Sequence, residues 1–333
     1  MKKELIERAR RNPARIIFPE GDDKRIKQAI AEIVKLGIAH PVVFTTGGID
    51  IKGVETINPG SEDIIKKYAQ LYTHIRERKG VGFDSAVKLL TSNPVFTAAL
   101  MVRDGFADAM IAGASHTTKD VAKAVIYCIG PREGKSVSSC FIIDTGNEKY
   151  GYKGKFIFAD CGVIVEPTSE QLAEIAIDSG MLFQKIFSAP PYIAFLSYST
   201  YGSAGGPSVE RVRRAVEIVK GIQPDLMVDG ELQADAAIVP EVAKRKCPDS
   251  FVAGRANVLI FPDLNSGNIC YKLVDRLLDA IAIGPIFMGT LKPASDLSRG
   301  CEVEEVVLDA AVISVMTQFR DEEPISQKLD TNP

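Results

Sequence analysis

The feature that most constrains this chain is an alternation, repeated along its length, of a short apolar run, a segment with helical spacing and a second apolar run. Residues 15–18 (Arg-Ile-Ile-Phe) are β-prone and end at Pro19. Residues 22–36 then carry Ile26, Ala29, Ile30, Ile33 and Val34 at helical spacing and close at Gly37, and residues 41–44 form a second strand. Strand, helix, strand is the signature of parallel α/β units. Ser92-Asn93-Pro94 opens another helix that stops at Gly105, and residues 109–112 are a buried strand running into Gly113. The style changes over residues 138–158, where Gly146-Asn147 and Gly151-Tyr152-Lys153-Gly154 read as turns between strands. The alternation then returns, with helices expected over 170–187, 209–220 and 268–280, and strands over 192–196, 226–228 and 258–261. The fold class is α/β, in two α/β lobes with a central cleft and a boundary near residues 144–150.

A net charge of −3 without a concentrated basic run argues against nucleic acid as a partner. Residues 1–13 are charged and lack an apolar stretch, and nowhere do 18 apolar residues run together. Neither export nor membrane insertion is expected, and the location expected is cytoplasmic. The six cysteines contain no C-x-x-C pair and there are only three histidines, so no metal site is expected and free thiols are. Gly80-Val81-Gly82 lacks a third glycine and follows charged helical residues, so a dinucleotide fingerprint is not supported, and no P-loop string occurs. Residues 321–333 are polar and aperiodic and read as a tail.

Near the C-terminus, Ser298-Arg299-Gly300 precedes Glu302, Glu304 and Glu305 and then an apolar helical run. Two readings fit. A hydroxyl and a fixed cation at a helix start make an anion pocket with a base beside it; Ser followed by Glu is equally a capped helix with solvated acids. Cys301 beside them is either a reactive thiol or packing material. Three further segments join glycine, hydroxyls and amides after expected strands, where anions gather in open α/β sheets: Gly113 to Thr118 (with Ser115, His116 and Thr117), Ser197 to Ser203 (with Ser199), and Pro262 to Asn268 (with Asn265, Gly267 and Asn268). Each alone reads as an ordinary strand-to-helix turn; together with the Ser298-Arg299 loop they point to a shared oxyanion site. His116 fits an acid or base, or a cap. Asp229, Glu231 and Asp235 read as helix-start acids, and Arg76, Arg78 and Lys79 as a solvated face or a meeting point for a charged nucleotide tail.

The strings Ser197-Tyr198-Ser199-Thr200, Asp229-Gly230-Glu231-Leu232-Gln233, Phe261-Pro262-Asp263-Leu264-Asn265 with Gly267-Asn268, Gly284-Pro285 and Asp296-Leu297-Ser298-Arg299-Gly300, in this order, resemble the phosphate acetyltransferase (phosphotransacetylase) family. The likeness runs from Phe18-Pro19-Glu20 to the last helix. It implies reversible transfer of an acetyl group between acetyl phosphate and coenzyme A by direct thiolate attack in a ternary complex. Coenzyme A and acetyl-CoA are then substrates, with no bound cofactor and no metal. It also implies a homodimer and a fold similar to isocitrate and isopropylmalate dehydrogenases. The domains implied are 1–144 plus about 300–333, and 145–299, with the active site in the cleft between them. The implied catalytic set is Ser298, Arg299 and Glu305, the last more often Asp in the family. Coenzyme A contacts fall on Arg76 and on Lys123, where the family has a second arginine; lysine keeps the charge and loses the fork. Two neighbouring readings are a phosphate butyryltransferase and a non-catalytic coenzyme A sensor domain.

Overall fold

Eleven strands run through the computed structural model, which describes residues 1–318; the segment 321–333 expected to be a tail lies outside them. In chain order they are β1 Ala14–Phe18, β2 Ala39–Phe44, β3 Glu55–Ile57, β4 Ala109–Ala112, β5 Ser138–Asp144, β6 Lys155–Ala159, β7 Ile193–Leu196, β8 Val228–Leu232, β9 Val258–Ile260, β10 Ile281–Met288 and β11 Ala294–Asp296. The described chain divides into two units: residues 1–137 with 289–318, and Ser138–Met288.

In the first unit the strand order is β3-β2-β1-β4-β11, and every pairing is parallel. The crossover helices start and stop where their sequence dictates. Lys24–Leu36 is capped by Asp23, whose side chain accepts from the Arg25 N–H, and ends at Gly37 in the left-handed region. Pro94–Arg103 has Asn93 as its cap and proline in its first turn, where a missing N–H costs nothing. The helix Val303–Thr317 is buried from Val306 through Val315 and packs on Lys2–Ala9, Lys24–Leu36, β1, β2, β4 and β11. The last stretch of this unit therefore completes a core that the first residues begin.

Strand order reverses beside β1, since the chain builds β2 and β3 on one side of it and β4 and β11 on the other. In open parallel sheets ligands collect at such a switch point, beyond the carboxyl ends of the strands. Here those ends deliver three segments: Glu20 after β1, Gly113 to Thr117 after β4, and Leu297 to Cys301 after β11. Gly113 is required by the fit. Its φ is 114°, and a Cβ there would lie 2.2 Å from Asp296 Oδ1 and 2.6 Å from the Leu297 carbonyl oxygen.

The second unit has the order β10-β5-β6-β9-β7-β8; β5 pairs antiparallel with β10 and β6, and the remaining pairs are parallel. The turn-rich stretch near residue 150 is thus an antiparallel hairpin. Unit boundaries fall at 137/138 and 288/289, not at 144/145 and 299/300. Cys140 to Asp144 are tied residue by residue to β6, Ser138 and Ser139 to β10, and Ala294 to Asp296 to β4, so Ser298 and Arg299 belong to the first unit. Leu226 was expected to begin a strand that instead spans Val228–Leu232, placing Asp229 and Glu231 on β8 and leaving only Asp235 in a helix first turn. No single described helix is long and apolar enough to cross a membrane.

Candidate active site

Beyond β11 the chain turns sharply. The Leu297 N–H donates to the Ala112 carbonyl at 2.6 Å, prolonging the ladder with β4, and the Cys301 N–H donates to the Ser298 carbonyl at 2.9 Å, closing a four-residue turn. Ser298 Oγ accepts from the Gly300 N–H at 3.2 Å. Ser298, Arg299 and Gly300 are exposed, and the Arg299 guanidinium forms no ion pair among the described residues. Its backbone, by contrast, is held. Arg25 Nη1 donates to the carbonyls of Arg299 at 2.7 Å and Cys301 at 3.3 Å, while its Nη2 donates to the Ala114 carbonyl at 2.8 Å and to Asp23 at 2.7 Å. One guanidinium therefore staples the turn after β11 to the loop after β4, and the Asp23 contact supports its charge.

The loop after β4 is an anion nest, as the sequence suggests, but the anion is the protein's own. Glu20, its side chain 2% exposed, accepts from the N–H groups of Gly113, Ala114, Ser115 and His116 at 2.7–2.9 Å, from Ser115 Oγ at 3.0 Å, and meets His116 Nδ1 at 2.7 Å. Burial pushes the Glu20 carboxyl up, yet the His116 ring and the amides of Ser115 and Ala114 outweigh it and hold it below the usual carboxylate range. In return Glu20 raises the His116 ring above its ordinary value, against burial. The Ser115 hydroxyl thus already donates to Glu20, on a residue that is itself exposed. Thr117 caps the helix Thr118–Ala124, accepting from the Asp120 N–H at 3.2 Å and donating to its carboxylate at 2.7 Å. Of the three residues expected to bind substrate, His116 alone keeps a ring nitrogen clear of Glu20.

Glu305 forms a capping box with Glu302, Oε2 accepting from the Glu302 N–H at 3.0 Å, and it is exposed. Glu304 pairs with Lys2 at 2.6 Å. Cys301 is buried, and burial pushes its thiol up to about 11 despite the Arg25 guanidinium, which rules against a resting thiolate. Arg76 is half-buried and stacks over the Tyr127 ring at 4.2 Å. Tyr127 lies about one turn beyond the exposed Lys123, so the two residues expected to meet coenzyme A share a neighbourhood.

In the second unit the two further loops are likewise filled from within. Ser199, fully buried, donates to Glu231 Oε1 at 2.7 Å and accepts from the Ala204 N–H at 3.0 Å; Gly202 N–H and Arg213 complete the shell of Glu231, whose carboxyl falls to about 2 although burial opposes this. Residues 262–268 are the cap and opening turn of a helix, Leu264–Leu278, which begins before residue 268: Asp263 accepts from the Ser266 N–H at 2.8 Å. A Cβ on Gly267 would stand 2.2 Å from the Asp160 carbonyl oxygen, and Asn268 Nδ2 donates to the Cys161 carbonyl at 3.0 Å, so both residues join chain to chain. Asn265 remains exposed. All six cysteines are free, and no three His, Cys, Asp or Glu side chains gather as metal ligands among the described residues.

Sequence reasoning missed Glu20, Arg25 and Arg213. The local signal for Glu20 is an acid directly after a strand; nothing near it in sequence names its partners, some 95 residues on.

A two-unit α/β chain with a fixed cation and a hydroxyl at the switch point of a parallel sheet is built to handle anionic substrates. The model of the phosphate acetyl/butaryl transferase family matches residues 1–314, and the chain belongs to that family and is an acyltransferase. It is 41% identical over 326 residues to a phosphate acetyltransferase of Acetivibrio thermocellus, covering 95% of this chain and 98% of that one. It is 42% identical over 323 residues to the phosphate acetyltransferase of Thermoanaerobacterium thermosaccharolyticum, covering 94% and 98%. A phosphotransacetylase structure from Streptococcus pyogenes superposes with a TM-score of 0.86 at 36% identity, covering 96% and 99%.

Proposed function

We propose that the chain interconverts acetyl-CoA plus phosphate with coenzyme A plus acetyl phosphate, with chemistry centred on Ser298 and Arg299. The observation that carries this reading is the Arg299 guanidinium, exposed and without an ion pair among the described residues, on a backbone clamped by Arg25. With acetyl phosphate as the donor, the coenzyme A thiolate attacks the acetyl carbon, the carbonyl oxygen takes up negative charge, and the carbon–oxygen bond to phosphate then breaks, releasing phosphate and leaving acetyl-CoA. Arg299 faces that oxygen and Ser298 donates to it or to the phosphate. His116, raised by Glu20, favours its charged form and offers the remaining ring N–H to the leaving phosphate. Glu305 keeps Oε1 outside the cap and takes the thiol proton. Arg76 and Lys123 meet the phosphates of coenzyme A. Coenzyme A is a substrate throughout, so no cofactor is needed. A reducing, cytoplasmic setting suits a thiol substrate and free cysteines.

The assay is phosphate-dependent acetyl transfer between acetyl phosphate and coenzyme A on purified protein, with butyryl phosphate in parallel. Faster turnover of the acetyl compound is expected, and a preference for butyryl would overturn the acyl assignment. Direct transfer further requires that acetyl phosphate alone leave the protein unacetylated.

We also read the protein as a homodimer. The helix Leu264–Leu278 buries only Gly267, and Ile269, Leu273 and Leu277, four residues apart, are 57%, 53% and 76% exposed. A stripe of this kind on one helix face fits the same stripe on a second copy. Leu273→Asp with Leu277→Asp is expected to convert a dimer into a monomer in sedimentation velocity. A wild type that already sediments as a monomer would refute the assignment.

A further inference from the structure

Two carboxyl groups flank the Ser298–Arg299 turn and have no part in the chemistry above. Asp296, at the end of β11, and Asp309, in the helix Val303–Thr317, are each 1% exposed. None of their four oxygens makes a well-formed hydrogen bond, and among the described residues neither has a cation. An ionised carboxylate is strongly disfavoured in that position, so such groups keep a proton instead. Burial pushes each carboxyl up to about 7, with the Thr118 hydroxyl opposing the rise at Asp296 and the Ser295 hydroxyl at Asp309.

Their surroundings offer further negative charge and little else. Asp296 acts on Asp309, and Glu305, one turn back on the same helix, adds to it; Glu20 acts on Asp296. The His116 ring is paired to Glu20, and Arg25 to Asp23 and the backbone. The elements packed against Val303–Thr317 bury apolar side chains: Leu5 and Ala9 from Lys2–Ala9, Ile26, Ala29, Ile30 and Ile33 from Lys24–Leu36, and Ile16, Ile17, Val42, Val43, Met110 and Ile111 from β1, β2 and β4. Among the described residues no cation pairs with either carboxyl group.

We propose that Asp296 and Asp309 are a proton-holding pair that positions the Ser298–Arg299 turn. This rests on that turn being the catalytic element. The chain from Leu297 to Glu302 is the direct link between the strand carrying one acid and the helix carrying the other. Any change in their separation is therefore delivered to Ser298 and Arg299. While a proton is held, strand and helix pack closely. When it passes to solvent, two like charges are left buried on packed elements, with no cation among the described residues, and the turn loses its setting.

The sign follows from linkage. The folded protein holds this proton more tightly than the unfolded chain, so the contribution to stability is complete below the unfolded carboxyl value of about 4 and is lost as pH rises through about 7. The experiment compares wild type with Asp309→Asn between pH 5 and 8.5, following melting temperature, kcat and the KM of both substrates. The melting temperature of wild type should fall more steeply with pH than that of the variant. The ratio of variant to wild-type kcat should start near one at pH 6 and rise severalfold by pH 8.5, with both KM values unchanged. Asp309→Ala should flatten the melting slope in the same way, which serves if the Asn variant folds poorly. Parallel melting slopes overturn the held proton; a flattened slope with a constant kcat ratio overturns the positioning role. Failure of the catalytic reading would show separately, as an active Arg299→Ala protein.

Discussion

Arg299→Ala is expected to lower kcat by about 10²- to 10³-fold, the usual loss when one donor to a developing oxyanion is removed. The fold should survive. The side chain is exposed and unpaired among the described residues, and the contacts that hold this turn run through the Arg299 carbonyl, which alanine keeps. Melting temperature should thus move by no more than a degree or two while turnover collapses. Arg299→Lys should recover only part of the rate, because an ammonium restores charge without the planar fork. Near-normal turnover in the alanine variant would remove the turn from the chemistry.

Glu20→Ala should damage the structure rather than the chemistry directly. Four backbone N–H groups, a hydroxyl and a ring nitrogen would lose their shared acceptor in a buried place. Removing one side of a buried, charge-assisted network costs about 3–5 kcal/mol. The local readout is hydrogen exchange at the amides of Gly113 to His116, where protection should drop on the order of 10²-fold or more, following that cost. Unchanged protection would mean that the nest is held by something other than Glu20. Acidity provides a second handle. The Glu20 contribution is present above the ordinary carboxyl value of about 4.3 and fades as pH falls through its lowered folded value. The His116 contribution is present below about 6.5 and fades as pH rises through its raised value. The pair should stabilise the loop most between these limits.

How much of this the sequence discloses depends on the distance over which each feature is decided. Apolar runs such as Ala109 to Ala112 and caps such as Asp23, Gly37 and Asn93 are settled locally, and the elements they mark lie where the pattern puts them. β11 is different: Ala-Ser-Asp carries no strand preference and is extended because β4 offers it a ladder. β8 hides for a related reason, since Asp229 and Glu231 sit on a strand where polar pairing partners, Arg213 and Tyr201 among them, replace the apolar alternation. At the loops the donors are legible from glycine, serine and threonine after a strand. Their occupant is not, because Glu20 and Glu231 arrive from other strands. Ser298 and Arg299 are readable as a motif, whereas Arg25, which aims them, is visible only once the chain is folded.

The way the first unit is closed has a consequence for the order of events on the ribosome. Residues 1–137 emerge first, yet their core lacks β11 and the helix Val303–Thr317 until the whole of Ser138–Met288 has been made. At ordinary translation speeds that delay is on the order of ten seconds or more. By the end of that interval the second unit has all of its strands, whereas the first has displayed an unsealed apolar face to chaperones and proteases throughout. A chain released before β11 therefore carries Glu20 and its nest without the turn that Arg25 would staple to them.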